Sequence, residues 1–274
     1  MSTITETPRR LRRGRSTGIE RTRGRRAATQ IAVVVGAFAV WELVALSGLL
    51  PPALLPRVGP VVVAFLELLV DPEFWGAVGM TLGGAMLGLL ISAVIAIPIG
   101  LIAGTSTFIE RSIRILVDVG RSFPSIALLP VTMLFYGTTM PTKLIAIVLA
   151  CAFPLIVQTL YGARAIEHSI IETSRSYRIR FSLYFLRVAL PTATPSIMTG
   201  LRLAATIAVL VSVGVEIVGG LPGIGRGLSQ AQLDGASPVA FAYFIVAGIL
   251  GYAVTRVAEI AEDRFLRWRT SPND

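Results

Sequence analysis

Six long apolar runs dominate this sequence, and a soluble fold has nowhere to bury so many of them. They are Ala27–Leu46, Val78–Gly104, Ile113–Tyr136, Leu144–Gly162, Ile197–Gly219 and Val239–Ile260. At about 1.5 Å rise per residue, a helix of ~20 residues covers the ~30 Å hydrocarbon core of a bilayer. Backbone groups inside lipid must be satisfied within the segment, so each run is expected to be a helix. The composition agrees: 54% of residues are hydrophobic and 15% charged, against about a quarter charged in soluble domains. The expected fold is an all-α membrane protein with six transmembrane helices.

The charges orient this layout. Residues 1–26 hold nine arginines and no apolar run, the composition of a disordered basic tail; residues 27–268 form the transmembrane domain. The first run lacks a small-residue cleavage site and carries Trp41-Glu42, so it reads as a retained span rather than a signal peptide. With the N-terminus inside, only Arg57, Lys143 and Arg226 of 25 basic residues fall in outer segments. That positive-inside bias is expected to place both termini on the cytoplasmic side of a cell membrane. The net charge of +9 is therefore an orientation signal and implies no nucleic-acid partner. Between the first two spans, prolines 51, 52, 56 and 60 precede Val61–Val70. That stretch is too short to cross and is expected to lie as an interfacial helix on the outer face.

Scarcity excludes chemistry. The chain has one lysine, one histidine and one cysteine, so no intrachain disulfide and no Cys/His zinc cluster can form. Lys143 follows Pro141-Thr142 rather than a glycine loop, so there is no phosphate-binding loop. ATP, if used, is bound by partner subunits, and no cofactor is expected in this chain. The spans hold no H-E-x-x-H, no paired aspartates and no histidine, which argues against an intramembrane enzyme. Cys151 reads as core packing and His168 as a surface residue. Asp118 and Arg121 have helical ion-pair spacing. Gly79, Thr81, Gly83, Gly84 and Gly88 offer a small-residue edge for close helix packing or for a dimer. Gly223-Ile224-Gly225-Arg226-Gly227 reads as an outer turn or a binding-protein contact.

The segment from about 164 to 196 is more than a linker. Ile166, Ile170, Thr173/Ser174 and Tyr177 recur with helical period, and Leu183, Leu186 and Leu190 share one side of a second segment from Arg180. Pro191 stops or kinks that second helix. Two short helices at the membrane surface make a docking element; the alternative is a solvated basic loop at lipid headgroups.

Glu172-Thr173-Ser174, then Val188-Ala189-Leu190-Pro191 and Pro195–Arg202, resemble the coupling loop of bacterial ABC importer permeases. Arg121–Pro130, Phe135-Tyr136-Gly137, Glu216 and Gly223–Leu228 extend the likeness, which runs from about Trp41 to Trp268. It is nearest to the subgroup importing nitrate, sulfonates, taurine and vitamin precursors. The resemblance implies a type I importer-like bundle with cytoplasmic coupling helices. It implies a second permease copy, ABC ATPase subunits and an external substrate-binding protein as partners. Coupling would fall to Glu172, Thr173, Ser174, Arg178, Leu190 and Pro191. Ser122, Ser125, Thr132 and Glu216 are the candidate path-lining groups; for Glu216, as for Glu42, snorkelling or a local hydrogen bond is the competing reading.

The family pattern has glycine where this chain has Arg178. A residue with a Cβ is disfavoured by about 1–2 kcal/mol in the left-handed region. Either the turn has another geometry, or surrounding contacts absorb the strain, and a decayed copy is a further alternative. An ion-gradient-driven secondary transporter is the other competing function; sparse intramembrane acids and the two-helix loop count against it.

Overall fold

The computed structural model describes residues 17–266, which form helices and turns without a strand. The chain divides into two units, residues 1–59 and 60–274. In the first, helix α1 (Thr17–Leu46) begins inside the stretch expected to be a tail; residues 1–16 lie outside the described residues. The apolar part of α1 is Ala32–Leu46, about 22 Å long at ~1.5 Å per residue and so short of the ~30 Å core. The proline segment folds back on this helix. Trp41 Nε1 donates to the Pro56 carbonyl at 2.9 Å, and the Val58 amide donates to Glu42 Oε2 at 2.8 Å. Glu42 thus makes a local hydrogen bond.

Helix α2 (Val58–Val70) leads into the second unit. Its face bearing Ala64 and Leu68 packs on Phe74, Val78, Val213, Ile224, Ala242 and Val246. The expected interfacial helix is therefore half built into the bundle, because its apolar residues recur at helical spacing and find apolar neighbours.

Among the described residues, four helices are long and apolar enough to cross a membrane unbroken. They are α3 (Pro72–Thr105), α6 (Met140–Arg164), the element containing α9 (Leu190–Gly219), and α11 (Ser237–Phe265). Asp71 caps α3, its Oδ1 accepting from the Glu73 amide at 2.9 Å, with Pro72 opening the first turn. The expected third span is not one helix. Helix α4 (Thr107–Ser122) and the segment Ser125–Tyr136, a 3₁₀ turn followed by α5 (Leu129–Tyr136), meet at 83°. Pro124 explains the break. It lacks an amide hydrogen and pushes Phe123 into extended backbone (φ −78°, ψ 125°).

The core is the contact of α3, α6 and α9, with Ala85, Ile147, Cys151, Ala204 and Ala208 fully buried in one cluster. Small residues every fourth position set the α3–α6 approach: Gly84, Gly88, Ser92, Ala96, Gly100 and Gly104. A Cβ at Gly88 would lie 2.5 Å from Ile147 Cγ2, and one at Gly100 2.7 Å from the Ile156 carbonyl oxygen. Ser92 Oγ bridges the Gly88 and Val148 carbonyls at 2.9 and 3.2 Å. Gly84 and Gly88 were part of the small-residue edge seen in the sequence, but Gly79 and Gly83 face open space. Helix α11 attaches to α9 through polar pairs. Thr199 Oγ1 donates to Glu262 Oε1 at 2.8 Å, Arg202 Nη1 lies 3.3 Å from Glu262 Oε2, and the Thr206 and Thr255 hydroxyls are 2.9 Å apart.

This packing makes a prediction about glycine. Gly100→Ala should destabilise the detergent-solubilised protein by about 1–3 kcal/mol through overpacking against backbone. Gly79→Ala, with nothing within reach, should stay within about 0.5 kcal/mol. Thermal unfolding of the two variants beside the parent tests the contrast.

Candidate functional site

The docking segment folds as α7 (His168–Ser176), a turn, the single helical turn α8 (Phe181–Tyr184), and five residues of π-helix (Phe185–Ala189) that run directly into α9. It sits at one end of the bundle, hereafter the loop end. Ile166, Ala189, Ala193 and Ile197 are buried there with Leu101 and Ala163, and Ile171, Tyr184, Phe185 and Val188 pack on them. The burial corrects the faces expected from periodicity. Ile170, Tyr177, Leu183 and Leu186 are exposed, and the covered side is buried Ser174 and half-buried Ile171 on the first helix, with Ile166 buried just before it.

Glu172 and Thr173 are exposed on α7, while Ser174 is buried with its Oγ donating to the Ile170 carbonyl at 2.7 Å. Arg178 has φ 49°, and it is the non-glycine residue with positive φ among those described. Its neighbours explain why. The Ile179 amide donates to the Ser174 carbonyl at 3.0 Å and the Tyr177 amide to Thr173 at 3.0 Å. The first is the six-to-one bond that closes a helix whose next residue is left-handed, the role glycine usually fills. Of the two geometries left open by the sequence, the glycine-type turn is the one adopted, with arginine in it.

Pro191 does not stop the second helix. The Leu190 amide reaches back to the Phe185 carbonyl, five residues away, and the widened turn makes room for the proline ring that an α-helical register would exclude. Leu190 and Pro191 thus open α9 rather than end a separate element, and Pro195 lies within the same helix.

The proposed path-lining groups are dispersed. Ser122 is exposed at the end of α4, donating to the Asp118 carbonyl at 2.9 Å. Ser125 is buried just beyond the break. Thr132 sits on α5 with its hydroxyl on the Leu128 and Leu129 carbonyls at 3.2 and 3.0 Å. Glu216 is elsewhere and fully buried. Asp118 and Arg121 do pair, loosely, at 3.9 Å with both side chains more than half exposed. Cys151 is a buried core residue whose Sγ lies 3.3 Å from the Ala204 carbonyl.

Glu216 anchors a buried polar cluster at the end of the bundle opposite the loop. Lys143 Nζ lies 2.5 Å from Glu216 Oε1, and both side chains are almost wholly excluded from solvent. Lys143, one residue before the expected span, lies in the first turn of α6 against Gly84 of α3. Its ammonium also donates to the Met80 and Pro222 carbonyls at 3.0 and 3.4 Å. Glu216 Oε2 accepts from Thr81 Oγ1 and from the Gly225 amide, each at 2.9 Å, and Ser212 Oγ lies 3.2 Å from Oε1. Thr81 Oγ1 in turn accepts the Ile224 amide at 3.0 Å. The Gly223–Gly227 motif is thereby a tight turn opening α10 (Ile224–Leu233), whose N-terminal amides favour a carboxylate. Gly223 has φ 150°, and a Cβ there would fall on the Glu216 carboxylate. Lys143, Thr81 and Ser212 were not recognised from the sequence. The available signal was a lone lysine beside an apolar run in a chain otherwise using arginine.

The described residues thus form a bundle of membrane-length helices with one span broken at Pro124 and a loop packed on one end. A family model described as "Binding-protein-dependent transport system inner membrane component" matches residues 96–269, and the chain belongs to that family. It is 31% identical over 234 residues to a putative aliphatic sulfonates transport permease of Escherichia coli, covering 85% of this chain and 89% of the relative. A Bacillus subtilis protein of the same description is 28% identical over 85% of this chain and 84% of its own length. The taurine transport system permease of Escherichia coli is 25% identical over 87% and 90%. The fold matches the inward-facing MetNI methionine ABC transporter with TM-score 0.62 at 22% identity, covering 73% of this chain and 97% of that one. The chain is a multi-pass permease subunit of an ABC importer, a class that works with ATPase and substrate-binding partners.

Three substitutions probe the site. Arg178→Gly should raise stability by up to about 1 kcal/mol, since the turn is already left-handed and glycine adopts it freely. Lys143→Met should cost about 3–5 kcal/mol by leaving a buried carboxylate unpaired, and adding Glu216→Gln should restore most of it. Thermal unfolding in detergent reads each.

Proposed function

We propose that two copies of this chain form the translocation path of an ATP-driven importer for a small oxyanion-bearing nutrient, of the sulfonate, taurine or nitrate type. The named relatives supply the substrate class. The loop end and both termini face the cytoplasm, ATP is bound by the ATPase partners, and this chain carries no cofactor and no enzymatic activity. An external binding protein delivers substrate to the opposite end.

The observation that carries the reading is the surface of the docking segment. Ile170, Tyr177, Ile179, Leu183 and Leu186 are exposed there beside Glu172 and Arg178. An apolar patch rimmed by charges marks an interaction surface, for a protein or a membrane, and the family's need for an ATPase favours the protein. In this assignment Glu172, Thr173 and Arg178 meet the ATPase, Ser174 fixes the turn, and Leu190-Pro191 join the loop to α9. Ser122, Ser125 and Thr132 flank the path near the broken span. The retained turn at Arg178 weighs against a decayed copy.

The test is reconstitution with an ATPase and a binding protein from the same organism that co-purify with the chain, following uptake of labelled taurine, an alkanesulfonate and nitrate. ATP-dependent uptake of one of these is expected, and Glu172→Ala should lower it about tenfold or more, the equivalent of losing ~1.4 kcal/mol of coupling. Uptake that continues without ATP and collapses with the proton gradient would instead establish a secondary transporter.

A further inference from the structure

Helix α4 carries charged residues along the side of α6, a helix long and apolar enough to cross a membrane. It runs antiparallel to the α6 half nearest the loop: Glu110 pairs with Arg164 in the last turn of α6, and Gly120 packs under the ring of Phe153 near the middle of α6. From Glu110 to Ser122 it climbs about 18 Å at ~1.5 Å per residue, more than half of the ~30 Å core.

Three faces can be read along it. Glu110 and Val117 are buried toward the bundle. Phe108, Ile115, Leu116 and Val119 are exposed and apolar. Between them lies a polar face, with Arg111, Arg114, Asp118, Arg121 and Ser122 exposed at steps of three, four, three and one. The apolar face can meet acyl chains. The polar face cannot, because ionisable groups within the membrane face the bundle interior or a water-filled cavity.

The polar face already borders a recess. A cavity of about 250 Å³ is lined by Arg114, Asp118 and Arg121 of α4 with Tyr161 and Arg164 of α6. Its charges do not cancel. Arg164 is engaged by Glu110 and Arg121 touches Asp118 only at 3.9 Å, while Arg114 has no ion-pair or hydrogen-bond partner among the described residues. Guanidinium forks are the side chains best matched to the planar or tetrahedral oxygens of an oxyanion.

We propose that Arg114, Arg121 and Tyr161 form an oxyanion-binding subsite in the half of the path nearest the loop, holding the substrate's charged group between the broken span and release. The identity of the ligand rests on the importer reading, whereas the positively charged recess does not. A subsite of this kind supplies the anion's lost hydration once it has passed Pro124, and Asp118 keeps the affinity low enough for release.

The test needs neither substrate nor ATP turnover. The full chain with its ATPase is placed in phosphatidylcholine nanodiscs carrying Ser122→Cys, and labelled with sulfonatoethyl or trimethylammonioethyl methanethiosulfonate; the parent, whose Cys151 is buried, is the blank. The sulfonate reagent should react about tenfold faster or more than the cationic one, a focusing effect of the local potential. That preference should vanish in Arg114→Gln/Arg121→Gln and persist in Arg114→Lys/Arg121→Lys. Leu116→Cys on the apolar face should label with neither reagent. An unreactive Ser122→Cys, a preference indifferent to the glutamines, or equal labelling at Leu116→Cys overturns the proposal. Loss of the preference on adding phosphatidylglycerol would overturn it too, by assigning the recess to a lipid headgroup. Failed uptake together with intact selective labelling would sink the importer reading while leaving the recess standing.

Discussion

The buried contact between Lys143 and Glu216 holds four elements at one point: α6 through the lysine, α3 through Thr81 and the Met80 carbonyl, α9 through the glutamate, and α10 through its first amides. Such a pair adds little net stability, because desolvating two charges offsets their attraction. Its value is specificity. Each ammonium hydrogen has an acceptor and both carboxylate oxygens have donors, so one arrangement of this end is satisfied and sliding any helix by a turn leaves a charge stranded in a low dielectric. The glycines around it follow from the same demand. Gly84 leaves room for the lysine stem, and Gly223 lets the turn close over the carboxylate.

At the opposite end the governing constraint is backbone geometry. Arg178 occupies a left-handed position because the six-to-one bond from Ile179 to Ser174 closes α7 there. Cooperative closure of the turn outweighs the local preference of one residue. Pro191 tells the same story with the opposite device, since the chain widens its hydrogen-bond register to π over five residues and so carries the helix through. Together they leave α7 as a compact projection and α8 as the leading turn of a long element extending to Gly219.

Most of the fold was legible from hydropathy, because twenty apolar residues in a row admit few alternatives in lipid. The spans around α3, α6, α9 and α11 were found with ends wrong by a few residues. The third span was misread as continuous because its apolar average hides a local event, Pro124 acting on Phe123. The docking segment was legible as helical with its faces misplaced; periodicity shows that a helix has sides but not which neighbour each side meets. The Lys143–Glu216 contact was illegible for a plainer reason. Its members are 73 positions apart, and pairing at that range is a property of tertiary packing. The arginines of α4 were visible but were counted as inner-loop charge, since their depth depends on α4 lying along α6.

The near-contact of α3 and α6 has a kinetic corollary. With Gly88 and Gly100 seated against side chains and carbonyls at distances that leave no room for a methyl group, the two helices lack the clearance to rotate or shear past one another. They share one set of rigid-body coordinates. Gly120 seats α4 against the Phe153 ring of α6 just as closely, so α3, α4 and α6 move together. A change of access then falls to the parts not locked in this way, α5 beyond Phe123-Pro124 and whole bundles against each other, and the stiff trio acts as the stator of the machine.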